Sequence, residues 1–205
     1  MNNVLEYLEH SASAFPDRVA VADREHGYTF SQLKEKACEL AAAEPLKNSK
    51  GAVGVIAGRN ADVIVYFMAA LYSGHFYVPL DPELPAKKLN MIADNAEISV
   101  VLGDSSERDI AGQIEKEFEY LTIEDAVPGV FNTDGLGCTA DEPMFMIYTS
   151  GSTGVPKGVL KSHKAIISFI DAYTEQFGFD ENEVIGNQTP FFFDASAKDI
   201  YLMLK

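Results

Sequence analysis

Long apolar runs are missing from this 205-residue chain. No stretch of 18 or more apolar residues occurs, so no segment has the length and hydrophobicity of a transmembrane helix. The opening Met1-Asn2-Asn3 is polar and lacks the layout of a secretory leader, which predicts a cytoplasmic setting. Positive charge is scarce as well. Sixteen Lys and Arg against thirty-one Asp and Glu leave a formal net charge of −15. Such a field repels phosphate backbones and anionic lipid, so neither nucleic acid nor a membrane surface is an expected partner. Cysteine is nearly absent: Cys38 and Cys138 stand far apart, without the spacing of a zinc site or a CxxC redox pair. Each is expected to be an ordinary thiol, since free Cys behaves mostly as a small hydrophobe. What remains is 47% hydrophobic and 23% charged, a composition that buries a core and excludes disorder as a whole-chain description.

Periodicity predicts an alternating α/β order. Val4, Leu5 and Leu8 recur at helical spacing, Arg18–Ala22 reads as a strand, and Tyr28-Thr29-Phe30 as the return arm of a short hairpin. Ser31 is placed to cap a helix over Gln32–Ala43 that Pro45 stops. Strands are then predicted over Ala52–Ala57, Phe76–Pro79 and Ile98–Leu102, with helices over Asp62–Tyr72, Ala86–Ala93 and Arg108–Phe118. Strands separated by helices point to a layered α/β fold with a mainly parallel sheet flanked by helices. Thr122–Pro143 carries acidic residues, Gly and Pro without periodicity and reads as a surface connection. It divides residues 1–135, a first lobe, from residues 136–205, the start of a second. Within the second, strands are predicted over Met144–Tyr148, Val159–Lys161 and Val184–Gln188, and an amphipathic helix over Ala165–Phe177.

The strand at Met144–Tyr148 runs straight into Thr149-Ser-Gly-Ser-Thr-Gly-Val-Pro-Lys-Gly158. Glycines let successive backbone N–H groups converge on an anion, and hydroxyls with one ammonium complete the cage. By composition this is a phosphate loop. It is not a Walker A loop, because Gly151 and Gly154 are three apart and Gly158, not Ser or Thr, follows Lys157.

The eleven residues from Tyr148 to Gly158 resemble the phosphate-loop motif of the adenylate-forming enzymes, which include acyl-CoA synthetases, luciferases and the amino-acid adenylation domains of non-ribosomal peptide synthetases. Tyr28-Thr-Phe-Ser-Gln-Leu33, Ala70–Pro82 with Pro85, and Phe193-Asp194-Ala195-Ser196 agree in order, and the last two look like the amino-acid-activating branch. Gly186–Pro190 and Asp199-Ile200-Tyr201 look much like the stand-alone ligases that charge D-alanine onto a carrier protein. Lys198 departs from that group, because a small apolar substrate gives an ammonium no partner.

The resemblance implies a reaction. A carboxylate attacks the α-phosphate of Mg-ATP, giving an acyl-adenylate and pyrophosphate, and the acyl group passes to the phosphopantetheine thiol of a carrier protein. ATP and Mg2+ are the implied cofactors, an amino acid and the carrier protein the implied partners. Thr149, Ser150, Gly151, Ser152, Thr153, Gly154 and Lys157 would embrace the β- and γ-phosphates, offsetting charge that grows on the leaving pyrophosphate. His163 falls where the family often has a His, although a His near a helix start also serves as a cap or packing residue.

Asp194 matches the residue that holds the substrate's α-ammonium. An acidic group beside Phe191, Phe192 and Phe193 is expected to need a cationic partner; the other reading is a helix N-cap. Ala195 and Lys198 match positions lining the substrate side-chain pocket. An Ala followed by a Lys suggests an acidic side chain such as glutamate, against a solvated Lys paired with Asp199. The adenine-binding segment, the metal-binding acid, the ribose-binding Asp and the C-terminal domain with its catalytic Lys have no counterpart here, so no catalytic residue is assigned. The chain by itself is expected to bind ATP weakly and make no acyl-adenylate. The alternatives are an acyl-CoA ligase for a non-amino acid, or a non-catalytic module that binds nucleotide or carrier protein.

Overall fold

The computed structural model describes residues 1–149 and 156–205. Its centre is a six-stranded sheet in the order β6-β5-β3-β4-β7-β8, formed by β3 (Val53–Ile56), β4 (Tyr77–Leu80), β5 (Val100–Leu102), β6 (Glu119–Leu121), β7 (Pro143–Thr149) and β8 (Lys157–Ser162). The first five run parallel, and β8 closes one edge antiparallel to β7. The mainly parallel layered α/β fold expected from the sequence is thus what forms.

The near-continuous apolar runs of β3, β4 and β5 follow from burial on both faces. Val53, Val55, Tyr77, Val100 and Leu102 face one core with α1 (Leu5–Ala14), α2 (Phe30–Ala41) and α4 (Asp62–Tyr72). Ile56, Val78, Leu80 and Val101 face the other with α5 (Ala86–Asn95) and α6 (Arg108–Ala111). Every residue of α4 after Asp62 is buried, as befits a helix wedged between the sheet and α2. A separate hairpin pairs β1 (Val19–Ala22) with β2 (Gly27–Thr29).

Several local expectations are corrected. Thr29 rather than Ser31 caps α2, because Gln32 at the third helical position completes a reciprocal capping box with it. Pro45 does not merely stop that helix; it sits in the first turn of a further short helix, α3 (Glu44–Asn48), where its missing N–H costs nothing. The helix expected to reach Phe118 ends at Ala111. The residues beyond it lead into β6, a strand not foreseen, which adds to the β5 edge.

The segment 122–143 is more than a surface connection. Asn132 is buried, with its amide donating to the Ala41 carbonyl at 3.1 Å. The side chain of Asn3 donates to the Gly135 carbonyl at 2.5 Å. A Cβ at Gly135 would fall 1.7 Å from the Leu71 carbonyl oxygen, so this close approach to the end of α4 admits glycine alone. The sheet also runs on past residue 135: Phe145 of β7 pairs with Tyr77 of β4.

Candidate functional site

β7 and β8 form an antiparallel pair whose register ends in Tyr148 opposite Gly158 and Thr149 opposite Lys157. Alternation along β7 ties this hairpin to both cores: Phe145 and Ile147 pack on the α4 side, Met146 and Tyr148 on the α5 side. Thr149 and Lys157 are exposed at the tip. No ion pair among the described residues involves Lys157. Ser150, Gly151, Ser152, Thr153 and Gly154, the rest of the expected phosphate loop, lie outside the described residues. The hairpin tip emerges beyond the carboxyl end of a strand in a parallel sheet, the edge at which open α/β folds receive ligands.

His163 opens α7 (His163–Phe177), which Ser162 caps by accepting from the Ala165 N–H. The ring is buried, and its Nδ1 accepts from the Val4 backbone N–H at 3.4 Å. Burial pulls its pKa down to about 4, against a smaller opposing effect of Glu142. The imidazole is therefore neutral and joins the starts of two helices.

Asp194 stands at the N-cap position of α8 (Ala195–Leu204) with helical backbone angles and no side-chain capping bond. Its carboxylate and Ala195 are exposed. The expected apolar enclosure does not form, because the three phenylalanines part ways. Phe191 packs edge-on against Phe67 at 6.3 Å, whereas Phe193 is 53% exposed. Lys198 lies 2.8 Å from the Asp199 carboxylate, and its ammonium is 5.7 Å from the Tyr173 ring centre. That hydrogen bond, ahead of the attraction between the charges, raises the Lys198 pKa. α8 is fixed from beneath by a 3.0 Å hydrogen bond between the buried hydroxyls of Tyr201 and Tyr77.

An open cleft of about 1580 Å³ runs between β1 and residues 179–189, lined among others by Arg18, Val21, Asn60, Asp104, Ile185 and Asp199. Neither Thr149, Lys157, Asp194, Ala195 nor Lys198 lines it. The strand expected over Val184–Gln188 does not form: Val184 is 95% exposed, and the segment pairs with no strand among the described residues. At the cleft's inner end lies a polar network the sequence reading overlooked. Asp62 accepts from Tyr28 and contacts His26 at 2.8 Å, and Asp104 accepts from Asn60 and from Tyr66 at 2.9 Å. Asn60 lies four residues past the end of β3 and Asp104 two past the end of β5. Polar residues just past two adjacent parallel strands were the available signal. Beside them Glu107 accepts from the Asp104 N–H at 3.0 Å, and burial pushes its pKa up to about 7.

This fold has close structural likenesses. FmoA3, a nonribosomal peptide synthetase bound to α-methyl-L-serine-AMP, matches with a TM-score of 0.85 and 22% identity over 98% of this chain and 23% of its own. VinN in complex with 3-methylaspartate gives 0.86 at 18% identity, over 98% and 59%. The N-terminal subdomain of Klebsiella oxytoca NpsA, in complex with 3-hydroxybenzoyl-AMSN, gives 0.81 at 23% identity, over 100% and 52%. The fold is the one these structures share. Residues 8–205 match the AMP-binding enzyme family, and the chain belongs to it. The D-alanine–D-alanyl carrier protein ligase of Bacillus cereus (strain B4264) is 31% identical over 202 residues, and that of Bacillus thuringiensis (strain Al Hakam) likewise. The match covers 97% of this chain and 40% of either relative.

Proposed function

We propose that this chain supplies the phosphate-binding and amine-binding segments of a ligase that activates an amino acid with ATP and passes it to the phosphopantetheine thiol of a carrier protein. In this reading residues 1–135 are the first lobe, and residues 136–205 open a second. The observation that carries it is the β7–β8 hairpin. Its register sets Thr149 opposite Lys157, so a hydroxyl and an ammonium flank the Gly/Ser/Thr-rich loop where β7 leaves the sheet. Backbone N–H groups of such a loop, with Lys157, would bind the β- and γ-phosphates and stabilise charge building on pyrophosphate. Ser150, Gly151, Ser152, Thr153 and Gly154 carry the remaining donors in this proposal.

Asp194 would hold the substrate ammonium, and its exposure leaves the carboxylate available for that contact. The D-alanine ligases among the relatives support a small amino acid. The 2.8 Å pair of Lys198 with Asp199 favours the reading of a solvated Lys over that of a partner for an acidic side chain. Mg2+ would enter as part of Mg-ATP, and no residue of this chain is assigned to hold it. Calorimetric titration of ATP, with and without Mg2+, tests the reading: saturable binding that Lys157→Ala weakens supports it, and unaltered affinity in that variant would refute it.

A further inference from the structure

We propose that Gly158, the last residue of the motif, is a positioning residue: its missing side chain makes room for Met146 and Tyr148 to lie across β8, and this ties the strand end that leads into the phosphate loop to α5. The inference rests on the loop's proposed role in binding ATP. The bare reading of a glycine-rich loop assigns every glycine to backbone freedom or to the anion, and Gly158 fits neither description. It lies inside β8, in register with Tyr148. Among the described glycines a positive φ occurs at Gly51, Gly74, Gly129 and Gly178, not at Gly158.

Space is what forbids a side chain there. A Cβ at Gly158 would fall 2.5 Å from Met146 Sδ, 3.1 Å from Met146 Cγ and 3.2 Å from Tyr148 Cζ. All three contacts lie on the α5 face, where Met146 and Tyr148 pack against the cluster of Val78, Leu80, Leu89 and Ile92. An aromatic ring folded over a cross-strand glycine covers backbone that would otherwise be bare. From there the Tyr148 hydroxyl donates to the Asn95 side-chain oxygen at 2.5 Å, at the C-terminal end of α5. The residue immediately before the loop is thus bound to a helix on one face of the sheet. A methyl at position 158 would displace Met146 Sδ and press on the Tyr148 ring, and in this proposal that pressure loosens Tyr148 from Asn95.

Four variants of the 205-residue chain test this: Gly158→Ala, Met146→Ala, the two combined, and Tyr148→Phe, which removes only the hydroxyl. Amide hydrogen exchange in peptides spanning residues 145–160 and ATP affinity by calorimetry are both read, with the thermal midpoint as a control on global stability. Gly158→Ala is expected to speed local exchange and weaken ATP binding by about tenfold, equivalent to about 1.4 kcal/mol. The double variant should return to the level of Met146→Ala alone, because the truncated Met leaves room for the methyl. Tyr148→Phe should speed exchange at the loop base without changing the hydrophobic core. A Gly158→Ala chain that matches the parent, or a defect that persists in the double variant, overturns the inference. If Gly158→Ala does not fold, recovery of folding in the double variant supports the packing argument and continued failure overturns it. A parent chain that binds no ATP yet shows the exchange pattern and its rescue would sink the phosphate reading and leave the tie of the strand end to α5 standing.

Discussion

The backbone N–H of Val4 donates to Nδ1 of His163, joining the first turn of α1 to the first turn of α7. Replacing His163 with Ala removes the acceptor and leaves a cavity in a buried site, which should cost about 2–3 kcal/mol in urea unfolding. The pH dependence follows from the neutral ring. With a folded pKa of about 4 against 6.5 unfolded, the unfolded chain binds more protons between those values. The contribution of His163 is therefore complete above pH 6.5 and lost as pH falls towards 4, by on the order of 3 kcal/mol. The difference in stability between parent and His163→Ala should shrink across that window. A constant difference would mean the ring is not held neutral.

Glu107 acts in nearly the same window with the opposite sign. Burial raises its folded pKa to about 7 from 4.5, against the opposing hydrogen bond from the Asp104 N–H and with a smaller upward push from the Asp104 charge. Above pH 7 the folded state carries a carboxylate that burial disfavours; as pH falls, the folded chain takes up the proton first and gains stability. Glu107→Gln keeps an acceptor for the Asp104 N–H and removes the charge. It should stabilise the chain by on the order of 1–2 kcal/mol at pH 8, allowing for partial screening, and change little at pH 4.5. The neighbouring Arg108 and Tyr120 complete the charged and titratable surroundings. Because His163 and Glu107 oppose one another, a flat profile in the parent is compatible with both, and only the two variants separate them. Equal stabilisation by Glu107→Gln at both pH values would show that the carboxyl titrates normally.

What could be read in the sequence followed from how each segment is buried. β3, α4, β4 and α5 announce themselves because their apolar periodicity is that of elements covered on one or both faces. The hairpin around the loop was equally plain, as apolar β7 leads into a run of Gly, Ser and Thr. Reading failed where pairing across the chain decides. Glu119–Leu121 forms β6 only because the β5 edge is open to it, whereas Val184–Gln188 has strand composition but no partner strand among the described residues. The Asp194 environment was misjudged for a related reason. Three consecutive phenylalanines look like an apolar wall, yet one turn of backbone sends Phe191 inward and Phe193 out. Thr29 and Gln32, by contrast, were a legible capping box that a strand assignment over Tyr28–Phe30 obscured.

The Tyr77–Tyr201 hydroxyl pair offers a double-mutant cycle. Both rings are buried, and each hydroxyl has the other as its partner. Tyr77→Phe or Tyr201→Phe strands one polar oxygen in the core and should cost about 1–3 kcal/mol, while removing both should cost less than the sum of the singles. Additive losses in chemical denaturation would mean that the two hydroxyls do not depend on each other.

Asp194→Ala separates the amino-acid reading from that of a ligase for a simple acid. The side chain is exposed and caps nothing, so stability should change by less than about 0.5 kcal/mol. In a polypeptide extended to the length of the D-alanine ligases, amino-acid-dependent ATP–pyrophosphate exchange should fall at least about a hundredfold, equivalent to about 2.7 kcal/mol of lost substrate contact. Unchanged exchange would favour a substrate that carries no ammonium for Asp194 to bind.

Lys157 provides the sharpest split between binding and folding. It is exposed at the hairpin tip, opposite Thr149, so Lys157→Ala should leave the thermal midpoint unaltered. ATP affinity should nonetheless fall by about tenfold or more, since one ammonium contact to phosphate is worth about 1.5–3 kcal/mol. The loss should be greater at low ionic strength, where screening is weakest. Binding does not make the chain a catalyst: the segments proposed to bind phosphate and amine lie in a stretch equal to 40% of the relatives' length, and the groups that would hold adenine and ribose have no assigned counterpart in it. The 205-residue chain should therefore bind ATP without catalysing amino-acid-dependent pyrophosphate exchange. Robust exchange by the purified chain would show that the β7–β8 hairpin and the start of α8 suffice for adenylate formation.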